Sequence, residues 1–218
     1  MKSLNKFLTR KITRVELEKF ISENSSDRLT LDLGCSNSPY SHYFKNRIGL
    51  DVNKGRGVDV VADAHDLPFE DGKFDIILCT EVLEHLHSPH VAISEMKRVL
   101  KVGGKLILTT RFIFPIHDAP GDYFRYTKYG LRYLFKDWNV ISLVEEVGTK
   151  DAFAVLLQRI GFQTDLLGGM ATKIMVFALA RLINAMPSLI RDEFGDIRKQ
   201  SRENNILTSG YYLVANKK

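Results

Sequence analysis

Apolar and polar positions change period along this chain, and each change predicts an element. Over residues 2–22, Leu4, Phe7, Leu8, Ile12, Val15 and Phe20 recur at roughly helical spacing among Lys6, Arg10, Lys11 and Arg14. That pattern predicts a basic amphipathic helix, ended by the polar run Asn24–Asp27. Short apolar runs then alternate with helix-length segments. Strands are predicted at Leu29–Leu33, Arg47–Asp51, Val58–Val61, Phe74–Thr80 and Lys105–Thr110. Helices are predicted at Ser38–Lys45 and Pro89–Leu100, the second opened by Ser88-Pro89 and stopped by Gly103-Gly104. Further on, a helix is expected from Thr127 to about Phe135, a strand at Val140–Val147, helices through 150–200 and a last strand at Tyr211–Ala215.

Strands separated by helix-length segments imply right-handed crossovers and a parallel sheet. Near-continuous apolar runs such as Ile76–Leu78 suit strands buried on both faces. With 218 residues, 44% of them hydrophobic and 26% charged, the chain fits one globular domain. The net charge of +5 is too small to name a partner. Two cysteines, Cys35 and Cys79, and no secretory leader predict a cytoplasmic protein with reduced thiols. Lys173, Arg181 and Asn184 interrupt the most apolar stretch, Leu166 to Ile190, so it reads as a helix rather than a membrane span.

The chemistry concentrates at the predicted strand ends. In Leu31-Asp32-Leu33-Gly34 a strand runs into a glycine turn, where backbone N–H groups at the start of a following helix can face a carboxylate. Asp51 closes the second strand, 19 positions after Asp32, where a carboxylate can accept hydrogen bonds from ribose hydroxyls. Asp63 follows the third strand, placed to accept from an adenine amino group, with the Ala64 N–H as donor to the ring and Leu67, Pro68 and Phe69 as an apolar wall. Cys79, Thr80 and Glu81 end the fourth strand at the same edge. A G-x-G-x-x-G fingerprint for a dinucleotide is missing after Leu33.

Together, Gly34 after Leu31-Asp32-Leu33, Asp51, the segment Ala62–Phe69, FDIILCTEVLEHL and EMKRVLKVGGKLILTT resemble the type-11 branch of the class I S-adenosylmethionine-dependent methyltransferases. The resemblance runs from about Leu29 to Thr110. It implies a doubly wound, Rossmann-like α/β fold: a seven-stranded, mostly parallel sheet with an antiparallel last strand. On that frame 1–218 is a single methyltransferase domain: an N-terminal helix at 1–25, a cofactor-binding core at 29–147, a helical insertion or lid at 150–208 and the last strand at 210–216. It implies S-adenosyl-L-methionine as cofactor. Asp32, Gly34 and Cys35, with Ser36 in the same turn, are assigned to its methionine end, Asp51 and Val52 to the ribose, and Asp63 and Ala64 to the adenine. Cys79, Thr80 and His85 fall near the sulfonium. The family usually has glycine at the positions of Ser36 and Ser38, so a reshaped turn and weaker cofactor affinity are expected.

The acceptor is expected beyond the fourth and fifth strands, in the aromatic and ionisable segment 111–127, kept irregular by Pro115, Pro120 and Gly121. His117 is the first candidate for a general base and His85 the second. Phe114, Asp122, Tyr123, Arg125 and Tyr126 are candidate substrate contacts, although Asp122 and Arg125 could equally pair to pin the loop. No metal is expected: His85, His87 and His90 lie on a strand-to-helix loop, which converges three ligands poorly, and no nearby cysteine or acid completes a set. These features point to methyl transfer onto an oxygen or nitrogen of a small-molecule or glycan-linked acceptor. A nucleic-acid methyltransferase and a non-catalytic cofactor-binding or scaffold protein are the alternatives; no RNA-binding module is evident, which makes nucleic acid a poor partner. Apolar residues from Phe153 to Ile190 could pack as core, cover a greasy substrate, form a dimer interface or touch a membrane surface.

Overall fold

The computed structural model describes residues 7–218; Leu4 and Lys6 of the predicted first helix lie outside the described residues. Seven strands make the main sheet: β1 (Thr30–Leu33), β2 (Arg47–Asp51), β3 (Val60–Val61), β4 (Phe74–Thr80), β5 (Leu100–Arg111), β6 (Trp138–Glu145) and, after the short strands β7 (Glu193–Phe194) and β8 (Arg202–Glu203), β9 (Gly210–Lys217). Their order is β3-β2-β1-β4-β5-β9-β6. The pairs from β3 through to β5 are parallel, and β9 runs antiparallel to β5. From β1 the chain winds outward to β2 and β3, then returns to β4 on the other side of β1. That reversal opens a crevice beyond the carboxyl ends of β1 and β4, with Leu33 set beside both Leu50 and Cys79.

All four residues of β1 are buried, as a strand covered on both faces requires. Helix α1 is Ile12–Glu23 and helix α2 Pro89–Val99. On α2, Ala92, Ile93, Met96 and Val99 recur at helical spacing and join Ile77, Leu106 and Leu213 in the core. Each fully buried Leu or Ile there contributes about 1.5–3 kcal/mol. Helix α3 is Lys128–Leu134, with the Thr127 hydroxyl accepting from the Gly130 N–H as its cap.

The described chain resolves into two compact units. The sheet unit comprises Glu18–Phe112, Ile116–Val144 and Gly210–Lys218. The second comprises the described residues up to Leu17, Ile113–Pro115 and Glu145–Ser209. In the second, α4 (Thr149–Gln163) packs on α5 (Gly169–Ala185) so closely that a Cβ on Gly161 would come within 2.8 Å of the Phe177 ring. The Lys150 ammonium donates to the carbonyls of Ile183, Asn184 and Met186 and so closes α5. Buried Gln158 accepts from the Ile12 N–H and donates to the Arg10 carbonyl. No helix among the described residues is long and apolar enough to cross a membrane.

Several predicted elements differ. The helix expected at Ser38–Lys45 is only a 3-10 turn, Ser41–Tyr43. Ser38 has a positive φ, and Tyr40 and Phe44 turn their rings into buried positions, leaving no run for a helix. A helix dipole therefore does not act at this turn. Gly103-Gly104 does not separate α2 from its strand. β5 starts at Leu100, and the register shifts between Phe74 and Ile76 where Gly103, at φ 74, bulges the ladder. The sixth strand starts two residues early, at Trp138, and the third is shortened to two residues. Residues 186–203 are not helical: Pro187 follows α5, and the Asp196 carboxylate accepts from the Gln200 and Ser201 N–H groups to turn β7 onto β8.

Candidate active site

At the switch point lies a cleft of about 530 Å³, within the usual range for small-molecule sites. Its first wall rises from the ends of β1 to β3. Gly34 takes φ 68, and a Cβ there would meet Val82 Cγ2 at 2.3 Å, so only glycine fits. Ser36 and Ser38 take φ 48 and 49. Both serines thus adopt the left-handed backbone that glycine favours. The Ser38 hydroxyl accepts from Arg47 Nη2 at 2.6 Å and donates to the Gly57 carbonyl at 3.1 Å, which holds the strained turn in place.

The Asp51 carboxylate accepts from the Ser36 N–H and from the Asn53 N–H, each at 2.9 Å, and so ties β2 to the glycine turn. Asp63 accepts from the His65 N–H at 2.9 Å and from the His65 ring at 2.6 Å; the backbone bond is the larger cause holding its carboxyl below the usual range. Gly34, Ser36, Asp51, Val52, Asp63 and Ala64 all line the cleft. A glycine cradle followed by two strand-end carboxylates, with Leu33, Leu50, Ala62, Ala64 and Leu86 as apolar surface, suits an adenosine with a short charged tail.

Four of the assigned cofactor residues stand off the cleft wall. Asp32 is buried behind the turn, 3.8 Å from Arg47; burial pushes its pKa up to about 6 against the pull of that guanidinium. Cys35 is buried with its thiol toward the Gly57 carbonyl, while Cys79 is fully buried in the core and burial pushes its thiol up. Both are free thiols. Thr80 sits at the end of β4 without reaching the lining. The Leu67–Phe69 segment is also not the apolar wall: Arg98 donates to the Leu67 and Phe69 carbonyls and Glu95 accepts from the Leu67 N–H, so the segment is fastened to α2.

The second wall is formed by Glu81, Val82, His85, His87, Asp118, Gly121 and Tyr123. His85 Nδ1 lies 2.8 Å from the Gly121 carbonyl, which makes it the protonated nitrogen and leaves Nε2 as the base or ligand. His117 does not line the cleft. Its ring packs edge-on to His85 at 4.7 Å, and burial lowers its pKa. Asp122 accepts a bidentate pair from Arg125, 2.6 Å each, and is held down to about 2 by it. It also accepts from the His117 N–H at 2.9 Å, so this pair pins the loop rather than meeting a ligand. Tyr126 is buried and donates to the Leu83 carbonyl, and Phe114, half-buried, packs against the core of the second unit beneath the Arg159 guanidinium. Of the five expected substrate contacts, Tyr123 alone lines the cleft.

Sequence reasoning placed Glu81 at the strand edge without giving it a role, and assigned none to His65, Asp118 or Glu84. Glu81 takes φ 56 and ion-pairs with buried Arg111. Glu84 is fully buried; its Oε2 accepts from the Thr110 hydroxyl at 2.8 Å. A charged residue at a core position of the Val82–Leu86 run was the available signal for Glu84.

Comparison with known proteins agrees with this architecture. Residues 31–108 match the family model for a methyltransferase domain. An uncharacterized protein of Methanocaldococcus jannaschii is 33% identical over 135 residues, 56% of this chain and 64% of that protein. The tocopherol O-methyltransferase of Arabidopsis thaliana is 30% identical over 109 residues, 40% of this chain and 31% of that one. The chain thus spans less than two thirds of either relative's length. Among solved structures, a Burkholderia thailandensis 1,6-didemethyltoxoflavin-N1-methyltransferase with bound S-adenosylhomocysteine superposes with a TM-score of 0.54 at 12% identity, covering 94% of this chain and 77% of that one. At that identity the likeness is one of fold. From Leu31 to Leu108 this chain is thus similar to a methyltransferase domain.

Proposed function

We propose that this protein transfers a methyl group from S-adenosylmethionine to an oxygen or nitrogen of a small-molecule acceptor. The observation that carries the reading is the pairing of two unlike walls across one cleft: Gly34, Asp51 and Asp63 on one side, His85 and Tyr123 on the other. When bound, the cofactor supplies an activated methyl group, and the protein's task is to hold donor and acceptor in line. The positive-φ turn at Gly34 lets the backbone approach the methionine end, while Asp51 and Asp63 present acceptors for the ribose hydroxyls and the adenine amino group. On the far wall the His85 ring, oriented by the Gly121 carbonyl, takes the proton that a hydroxyl or amine loses as it is methylated. His117 acts through His85, against whose ring it packs. Glu81, Asp118 and Tyr123 give this end of the cleft the polar lining that a hydrogen-bonding acceptor needs. The relatives' names fit an acceptor of this kind, oxygen in the tocopherol enzyme and nitrogen in the toxoflavin one.

Calorimetry tests the reading. The protein should bind S-adenosylmethionine and S-adenosylhomocysteine, and Asp51→Ala should weaken both by roughly 10- to 100-fold through loss of a charge-assisted pair of bonds. Binding of neither compound overturns it.

A further inference from the structure

Beside the cleft, one buried carboxylate is left over from this account, and it sits with the two histidines already described. Glu84, His85 and His117 each offer a ligand atom, and the three atoms lie within 4.8 Å of one another. Glu84 is fully buried, and while its Oε2 takes the Thr110 hydroxyl, its Oε1 is buried with no hydrogen-bond partner. An orphaned carboxylate oxygen in the core is costly unless something cationic or protic meets it. Protonating the carboxyl would remove its charge but would still leave Oε1 without a partner.

The surroundings of the three residues have the form of a metal site. Histidines that ligate a metal donate their other ring nitrogen to a backbone carbonyl or carboxylate. His85 Nδ1 faces the Gly121 carbonyl at 2.8 Å, and His117 Nδ1 faces Asp122 Oδ2 at 3.5 Å. Ligating carboxylates are in turn hydrogen-bonded, as Glu84 is by Thr110. Asp122 is itself locked by Arg125, so the oxygen behind His117 is fixed.

We propose that Glu84, His85 and His117 bind a divalent transition-metal ion. Two imidazoles and one carboxylate suit zinc, manganese or ferrous iron, and leave coordination positions open. Bond lengths near 2.1 Å set neighbouring donors about 3–3.5 Å apart, so the ion draws these three together by about an ångström. Because His85 lines the cleft, the open positions face the acceptor end. With the ion in place, the proton handling given above to the free imidazole passes to the cation, which lowers the pKa of an oxygen bound there. The site rests on its own donors and does not depend on the methyl-transfer reading.

The test uses the whole chain, stripped with chelator, dialysed and titrated with ZnCl2 and MnCl2 by calorimetry without cofactor. One ion per chain is expected, with Glu84→Gln and His117→Ala each weakening binding at least 100-fold and His90→Ala leaving it unchanged. Co2+ added to the unmutated protein gives a second readout that needs no variant: visible d–d bands of an ion in a low-coordinate His/carboxylate site. No uptake of any of the three ions, or uptake indifferent to Glu84→Gln and His117→Ala, overturns the proposal. S-adenosylhomocysteine titrated into the same samples reads the opposite wall, so failure of the metal site and failure of the cofactor reading are told apart.

Discussion

The two walls of the cleft are built by different means. The wall from Gly34 to His65 is local: three consecutive strands each end in a short motif, and the residues that line the cleft lie within three or four positions of a strand end. The wall of Glu81, His85, Asp118 and Tyr123 is assembled at long range, with His85 held by Gly121 and Arg111 reaching back to Glu81. A local wall fails at the residue that is changed. A long-range wall depends on partners far away in the chain, and several of its apparent ligand residues turn out to be fasteners.

The hardest test of the local wall is Gly34→Ala. A Cβ at that position overlaps Val82 Cγ2, and alanine at φ 68 adds about 1 kcal/mol of backbone strain. Affinity for S-adenosylhomocysteine should fall by 100-fold or more, about 3 kcal/mol, while circular dichroism stays native. Adding Val82→Ala removes the clash and leaves the strain, so the double variant should regain roughly tenfold. If Gly34→Ala binds like the unmodified protein, the wall is not rigid and the comparison between the walls collapses.

Asp32 separates support from contact within the local wall. Its folded pKa, about 6, lies above the usual value of 3.8 because burial outweighs the pull of Arg47. The native state therefore holds a proton that the unfolded chain has released between those two values, and stability falls as pH rises through that window. The full difference is about 2–3 kcal/mol, present above pH 6 and absent below pH 4. Urea unfolding of Asp32→Asn should run flatter with pH than the parent over this range. Parallel curves would mean that Asp32 does not titrate as a buried acid.

What was legible in the sequence follows the same division. The order of strands, the glycine turn and the strand-end acids Asp51 and Asp63 could be read because each depends on a few neighbouring residues. Asp32, Cys35 and Cys79 were harder. In a strand buried on both faces, period-2 alternation does not say whether the side chains of Asp32 and Cys79 look toward the ligand edge, and Cys35 in the turn after β1 is buried off the cleft as they are. The segment 111–127 was read as an acceptor surface because of its aromatic and charged composition, yet composition does not show that Asp122 and Arg125 satisfy each other or that Tyr126 spends its hydroxyl on Leu83. Glu84 showed only as a charge at a core position: its meaning lies in Thr110, 26 positions away, and in His117.

The smallest effects distinguish two serines that look alike in the sequence. Both sit at positive φ, a backbone that favours glycine. Ser36 contributes only its backbone N–H to Asp51, a bond that glycine keeps. Ser36→Gly relieves about 1 kcal/mol of left-handed strain and returns most of it as unfolded-chain entropy, so stability should change by less than about 0.5 kcal/mol. Ser38→Gly gains the same relief but loses the hydroxyl that accepts from Arg47 and donates to Gly57. Arg47 is mostly buried beside Asp32 and Asp59, and a lost charge-assisted bond there costs about 1.5–3 kcal/mol, leaving a net loss near 1 kcal/mol. Urea melts of the two variants should therefore diverge, with Ser36→Gly near the parent and Ser38→Gly below it. Equal effects would mean that Ser38 fills a glycine position without bracing it, and that the turn takes its shape from Gly34 and Asp51 alone.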